Sequence, residues 1–282
     1  MLSSSFRRYI YWLLALVGWS ALSLPAQAQI SAAPDGTGTV VNQLNNQFDI
    51  TGGTQAGQNL FHSLREFGLT QEQIANFLTN PQIRNILTRV VGGDASLING
   101  LIQVSGGNSN LFIMNPAGFI FGPNARLNLA GDFAVTTATG IGFEQDKWFN
   151  VVGSPDYAQL TSNPNQFAFD LANPAAIINT GNLSVAEGQH LLLVGGTVIN
   201  TGTLKAPGGD ITVAAIPGTN RVRLSRPGNL VSLELDLSPS TISTQGINPL
   251  DLPTLLTQGA QKLDPQLANQ ALVPSATAQV EG

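Results

Sequence analysis

Hydrolysis of a glycosidic bond needs two carboxylates facing each other across a cleft. This chain offers them singly: Asp132, Asp170, Asp210 and Asp236 are scattered, with no aspartate pair on one predicted strand. They read as turn and surface groups. The densest polar cluster, Glu144, Asp146, Lys147 and Trp148 in "FEQDKWF", reads as a loop with an aromatic anchor. The 2 histidines, His62 and His190, stand far apart and show no metal-ligand spacing. His62, in "NLFHSL", reads as a core-edge or turn residue. His190 faces outward if Leu191 faces inward. Arg221, Arg223 and Arg226 in "NRVRLSRPG" put two arginines on one strand face. That face is either simply solvated or a patch for anionic polysaccharide. No nucleophile elbow, phosphate loop or calcium-binding nonapeptide is present. The residues therefore predict no enzymatic activity, no metal and no cofactor.

The ends and the composition bound what could position such groups. "MLSSSFRRYIYWLLALVGWSALSLPAQAQ" carries Arg7 and Arg8, an apolar run from Tyr9 to Val17, and a small-residue site at Ala26 and Ala28. It reads as a secretory signal over residues 1–28, cleaved after Ala28. The apolar core is shorter than the ~20 residues of a membrane span, so no stable membrane insertion is expected. Removing Arg7 and Arg8 from the 12 basic residues leaves ten against 17 acidic ones, a net charge of −7. Nucleic acid would need a basic surface instead. Charged residues make up 10 % of the chain, against ~25 % in ordinary domains. There are no cysteines, so packing and hydrogen bonds alone must hold the fold.

The elements announce themselves as a repeat. "INTGNLSV" at Ile178 to Val185 returns as "INTGTLKA" at Ile199 to Ala206, 21 positions on. In each copy apolar and polar residues alternate, the pattern of a strand with one buried face. A second strand follows each copy, in "GQHLLLVGGTV" and "GGDITVAAI". One such unit cannot bury its apolar face alone, but stacked units can. The period predicts a parallel β-helix with Asn179 over Asn200 and Gly181 over Gly202, at the ~4.8 Å spacing of neighbouring strands. Looser echoes occur earlier. "NGLIQV" is followed by "AGFIFG" 18 positions on, and "LFIM" by "FAVT" 22 positions on. In "ARLNLAGD", Leu127 and Leu129 point inward, Arg126 and Asn128 outward.

Two segments depart from this rhythm. "LTQEQIANFLTNP" combines a capping box, Thr70 and Gln73, with Ile74, Phe77 and Leu78 on one helical face. It predicts a short helix outside the β-helix. The tail from residue 238 to 282 is rich in Pro, Gln and Ala. It is expected to be poorly ordered or to begin a further region.

The central block "NLFIMNPAGFIFGPNARLNLAGDF" is apolar on both faces at Leu111 to Met114 and again at Phe119 to Phe121. Something must cover its outer face, either the predicted helix or the N-terminal strands. Asn115-Pro116 and Pro123-Asn124 are turn signals around one strand. Asn115-Pro116-Ala117-Gly118-Phe119 resembles the NPNGI-type motif of two-partner secretion domains, the N-terminal modules of filamentous-haemagglutinin-like exoproteins. Ala117 and Phe119 stand where the family has asparagine and isoleucine. "GQNLFHSLREF", "NILTRVVGGDASLINGLI", "LFIMNPAGFIFGPNARLNLAGDFAVTTA" and "GQHLLLVGGTV…GTLKAPGGDITVAA" resemble the cyanobacterial branch of that module. The NPNL signature is absent.

The resemblance implies an all-β fold: a right-handed single-stranded parallel β-helix over residues 29–237, with extra-helical strands. It further implies recognition by an outer-membrane β-barrel transporter with periplasmic domains, passage across it unfolded, and folding on the cell surface, the protein acting as a monomer. Asn115, Pro116 and Gly118 are the candidate secretion motif. Asn110, Phe119, Gly122, Pro123 and Asn124 are the candidate supporting positions. Two other readings stay open. One is a stand-alone β-helical adhesin or carbohydrate-binding protein meeting surface polysaccharide or a host receptor. The other is a β-helical polysaccharide-degrading enzyme, which would need carboxylates clustered on one face.

Overall fold

The computed structural model describes residues 29–226 and 229–234. The expected signal segment with Ala26 and Ala28, Asp236 and the tail lie outside the described residues. The chain winds into a parallel β-solenoid of about six turns with three faces. The first face stacks Asn59–Phe67, Asn85–Val90, Asn110–Met114, Phe133–Thr136, Leu191–Gly195 and Ile211–Ala215, all parallel. The second face stacks Ser96–Ile98, Phe119–Phe121, Ala176–Asn179 and Thr197–Asn200. The third stacks Gln47–Gly52, Ile74–Leu78, Leu101–Ser105 and Arg126–Asn128, with the pair Asn182–Ser184 and Thr203–Lys205 beyond. At the start of the stack, Ile30–Ala32 and Thr54–Ala56 pair antiparallel with Asn59–Phe67.

Strand alternation on the first face sorts side chains into two cores. The columns through Leu60 and His62 point into the solenoid, where Ile86, Leu111, Phe133 and Leu191 continue the Leu60 column. The columns through Phe61 and Ser63 point outward, yet Leu87, Phe112, Met114, Leu192 and Val194 on them are also buried. Their cover is a second sheet. After Thr136 the chain leaves the solenoid and forms Gly140–Phe143, Lys147–Asn150 and Gln166–Phe169, then returns at Ala176–Asn179. Asn220–Arg226 and Asn229–Glu234 complete this antiparallel sheet from beyond the last coil. Ile141, Phe143, Phe149, Phe167, Phe169, Val222 and Leu224 face down onto the outer columns. Each such side chain contributes on the order of 1.5–3 kcal/mol on burial.

The structure corrects three expectations. Residues 71–78 hold no helix. Ile74–Leu78 is a strand paired in parallel with both neighbours on the third face. Gln73 Oε1 does accept the Thr70 amide at 2.8 Å, but it closes a turn. Ala75 and Phe77 alternate into the core, and that burial outweighs a five-residue helical preference. The outer cover of Phe112 and Met114 is mainly the inserted sheet, with Ala56 as the N-terminal contribution. Ile120, between Phe119 and Phe121, has no such cover and is 40 % exposed. Finally, the 18-position echo is not the register. Leu101 pairs with Arg126 and Phe119 with Ser96, because these coils run several residues longer. The 21- and 22-position offsets are the true registers, and Leu129 points inward while Arg126 and Asn128 are exposed, as expected.

Candidate functional site: the Asn115 turn and the corner ladders

Asn115 ends a first-face strand and cannot continue it, because Pro116 has no amide to donate and holds φ in the turn range. The Asn115 carbonyl accepts the Gly118 amide at 3.0 Å, and its Oδ1 accepts the Ala117 amide at 2.9 Å. Its Nδ2 donates back to the preceding coil, to Asp94 O at 3.0 Å and Ser96 Oγ at 2.9 Å. Its own amide donates forward to Thr136 O at 3.0 Å. One residue, 1 % exposed, thus joins three successive coils through its side chain and its amide. Gly118 closes the turn at φ +107°, and a Cβ there would stand 2.9 Å from Ala176 O. Only glycine tolerates both conditions.

The strand after the turn sends Phe119 and Phe121 inward with rings stacked at 6.0 Å. A second turn follows, where the Ala125 amide donates to Gly122 O at 2.9 Å, with Pro123 and Asn124 at its middle. Asn99 Oδ1, one coil earlier, accepts the Asn124 amide at 3.0 Å. The same device recurs at Asn179. Its Oδ1 accepts the Gly181 amide, and its Nδ2 donates to Asn200 Oδ1 at 2.7 Å. The Asn179–Asn200 and Gly181–Gly202 stacks predicted from the repeat are present, with Gly202 against the Gly181 carbonyl.

At the entrance to the first face a longer ladder runs through every coil. Asn85 Nδ2 donates to Asn59 Oδ1 at 2.8 Å, and Asn110 Nδ2 to Asn85 Oδ1 at 3.0 Å. The Asp132 amide then donates to Asn110 Oδ1 at 2.9 Å, and the His190 amide to Asp132 Oδ1 at 2.8 Å. The Asp210 amide closes the series on His190 Nδ1 at 3.0 Å. Asn110 is therefore a rung of this ladder rather than a part of the Asn115 turn. Asp132, His190 and Asp210, met in the sequence as scattered groups, are its later rungs. Asp170 lies elsewhere, accepting from Thr139 Oγ1 at 2.6 Å. Among the described residues no three metal-capable side chains converge.

Three groups have roles that the sequence did not announce. Arg89 is buried on the outer side of the first face, beneath the covering sheet. It donates to Ser63 Oγ at 3.1 Å, Asn150 O at 2.5 Å, Gly153 O at 3.1 Å and Asp35 Oδ2 at 2.8 Å. Burial raises the Asp35 carboxyl, but hydrogen bonds from Ser63, Thr37 and Arg89 outweigh it and hold the pKa at about 2. His62 lies inside the solenoid, deeper than a core-edge position. Both its ring nitrogens lack a partner, as does Oγ1 of Thr88 beside it in register. Burial lowers its pKa to about 4, so it is neutral at ordinary pH.

A solenoid stacked on asparagine corners, with an inserted sheet covering one face, is a parallel β-helix with an extra-helical sheet. A model of the TPS secretion domain matches residues 28–266, most of the chain. The chain belongs to that family, the secretion domain of two-partner secreted exoproteins. A similar solved structure is the HMW1 secretion domain from Haemophilus influenzae, 20 % identical with a TM-score of 0.49, covering 74 % of this chain and 48 % of that one. This chain thus spans about half the length of that structure. No curated protein matches it.

Proposed function

We propose that this protein is the secretion module of an exoprotein recognised by an outer-membrane β-barrel transporter with periplasmic domains. It crosses unfolded, folds coil by coil at the cell surface, and serves adhesion there without enzymatic activity. Asn115, Pro116 and Gly118 act as its secretion motif, in the manner of the cyanobacterial-type branch. The observation that carries this reading is the Asn115 turn, which ties three coils together and in which Asn115 and Gly118 are buried once folded. A transporter that reads these residues does so before folding, when they are exposed. Afterwards they nucleate the stack. Folding yields about 0.05–0.15 kcal/mol per residue. A coil of ~20 residues then contributes on the order of 1–3 kcal/mol when it stacks, provided coils add singly. That supplies outward bias without nucleotide hydrolysis.

The test is secretion from cells with and without a cognate barrel, using the native chain and an Asn115→Ala/Pro116→Ala double variant. Protease-resistant product in the medium should require both the barrel and the motif. Export without the barrel, or folded protein kept in the periplasm, would replace this reading with that of a stand-alone surface-binding protein.

A further inference from the structure

The two ends of the solenoid are closed differently. At the first coil the antiparallel strands Ile30–Ala32, Thr39–Leu44 and Thr54–Ala56 border the stack, and the inward side chains Phe48, Ile50 and Leu64 are buried. The last coil differs. Thr197–Asn200, Thr203–Lys205 and Ile211–Ala215 each pair on one side only among the described residues. Their inward side chains repeat those of the coil before: Val198 over Ile177, Leu204 over Leu183, Ile211 over Leu191 and Val213 over Leu193. The earlier four are at most 1 % exposed. Val198, Leu204 and Ile211 are only partly buried, and Val213 is 47 % exposed. The apolar core thus opens out of the C-terminal end, where a stacked-repeat fold needs a terminal cap.

The chain leaves from beside this opening. Asn229–Glu234 lies against Ile211–Ala215, and the family match continues past it to residue 266. The sequence there does not write another coil. The corner phrase Ile-Asn-Thr-Gly does not return after Gly202, and Pro239, Pro249 and Pro253 would each remove a donor from a strand ladder. A helical pattern takes its place. Asp251 stands as an N-cap, Pro253 falls in the first turn where no intrahelical bond is lost, and Pro265 follows Lys262 at the far end. Leu255, Leu256 and Leu263 lie 3, 4 and 11 positions after Leu252, all on one helical face with Gly259 and Ala260 between them. Thr254, Thr257, Gln258 and Gln261 fall on the opposite face.

We propose that residues 251–263 form an amphipathic helix that caps the open end of the solenoid, its leucines against Val198, Leu204, Ile211 and Val213. The dimensions agree. A helix of this length spans ~20 Å, and the widest edge of the opening, the 5-residue strand Ile211–Ala215, spans ~17 Å. Residues 235–250 reach up to ~50 Å when extended, so the helix can lie across the coil. So short a helix is marginal alone in water, and it forms on docking. A second copy of the chain is the competing occupant, but a tethered segment acts at an effective concentration on the order of millimolar. The cap goes beyond the export reading and does not rest on it.

The chain has no cysteine, so thiol pairs can be introduced without interference. In residues 29–282, Val213→Cys/Leu256→Cys should close an intramolecular disulfide on mild oxidation. It should do so at least tenfold faster than Val213→Cys/Gln258→Cys, whose second thiol falls on the polar face. Val40→Cys/Leu256→Cys, with Val40 46 % exposed near the opposite end, should stay reduced. Leu255→Asp/Leu256→Asp should lower the thermal midpoint by about 5 °C or more and leave the far-UV strand signal intact. Absence of the 213–256 disulfide, equal rates for the three pairs, or an unchanged midpoint in the aspartate variant overturns the proposal. Disulfide-linked dimers formed faster than the intramolecular link assign the opening to a second copy and overturn it as well. Every measurement uses purified protein, so failure of the cap and failure of the secretion reading are separate results.

Discussion

In the last coils Asn179 donates to Asn200 and Gly181 lies under Gly202, each residue meeting its equivalent 21 positions on. The first coils have such a ladder too, in Asn59, Asn85 and Asn110, but add buried partners far away in sequence. Arg89 reaches Asp35, Asn150 and Gly153, and Asn59 Nδ2 donates to the carbonyls of Leu160 and Ser162. The late coils are held by repetition, and the early ones by repetition together with ties to the N-terminal segment and the insert. A repetitive stack distributes its stability over nearest neighbours. A tied one concentrates it in a few buried polar groups, where removing one partner strands the others.

The sharpest way to break this contrast is Arg89→Ala. It leaves the partly exposed Asp35 carboxylate and two carbonyls without their buried donor, and should cost about 2–4 kcal/mol by urea denaturation. A cost below 1 kcal/mol would mean that the clamp is incidental. Next comes acidification. His62 titrates near 6.5 when unfolded and at about 4 when folded, so between those values the unfolded chain binds more protons. Stability is then complete above pH 6.5 and falls as pH drops toward 4, by on the order of 3 kcal/mol. His62→Leu should flatten that window in denaturation curves taken at stepped pH. Asp35 has the opposite chemistry and a lower window. Its folded pKa is depressed, so its contribution is present above pH 3.8 and is lost as pH falls toward 2. Asp35→Asn should therefore leave the pH 4–6.5 slope unaltered.

Gly118→Ala forces an alanine to φ +107° against a carbonyl, at a cost of about 1–3 kcal/mol, measurable as a lowered thermal midpoint. The smallest effect belongs to the repetitive end. Asn200→Ala removes two hydrogen bonds at a half-buried rung, one accepted from Asn179 and one donated to Gly202 O, and with water able to reach the rung should cost about 0.5–1.5 kcal/mol. If it equals Arg89→Ala, the two ends of the solenoid are not held differently.

The same contrast explains what the chain showed before folding. The late repeat was legible because its coils have one length, so equivalent residues align by eye. The ladder was half visible: Asn59, Asn85 and Asn110 each stand just before an apolar run, in "NLFH", "NILT" and "NLFI". Their offsets of 26 and 25 positions hid the series, and its later rungs change to Asp132, His190 and Asp210. The turn at Asn115 was legible from Asn-Pro and glycine alone. Arg89 was not, since a charge inside an apolar strand acquires its meaning from partners 54 and 61 positions away. The helix expected over 71–78 failed because five residues are too few to separate a helical period from strand alternation. Burial of Ala75 and Phe77 decided it.

The strand order of the covering sheet sets a timetable. Its first three strands, from Gly140 to Phe169, emerge midway along the chain, but their fourth partner, Asn220–Arg226, lies beyond the last coil. In a folding order that follows the chain from its N-terminus, the coils can wind first, yet the sheet over Phe112 and Met114 stays unfinished until that strand arrives. Val222 and Leu224 then drop into the second core. The strand is a clasp from beyond the last coil, and the cover over the first face is complete only when nearly all of the described chain is in place.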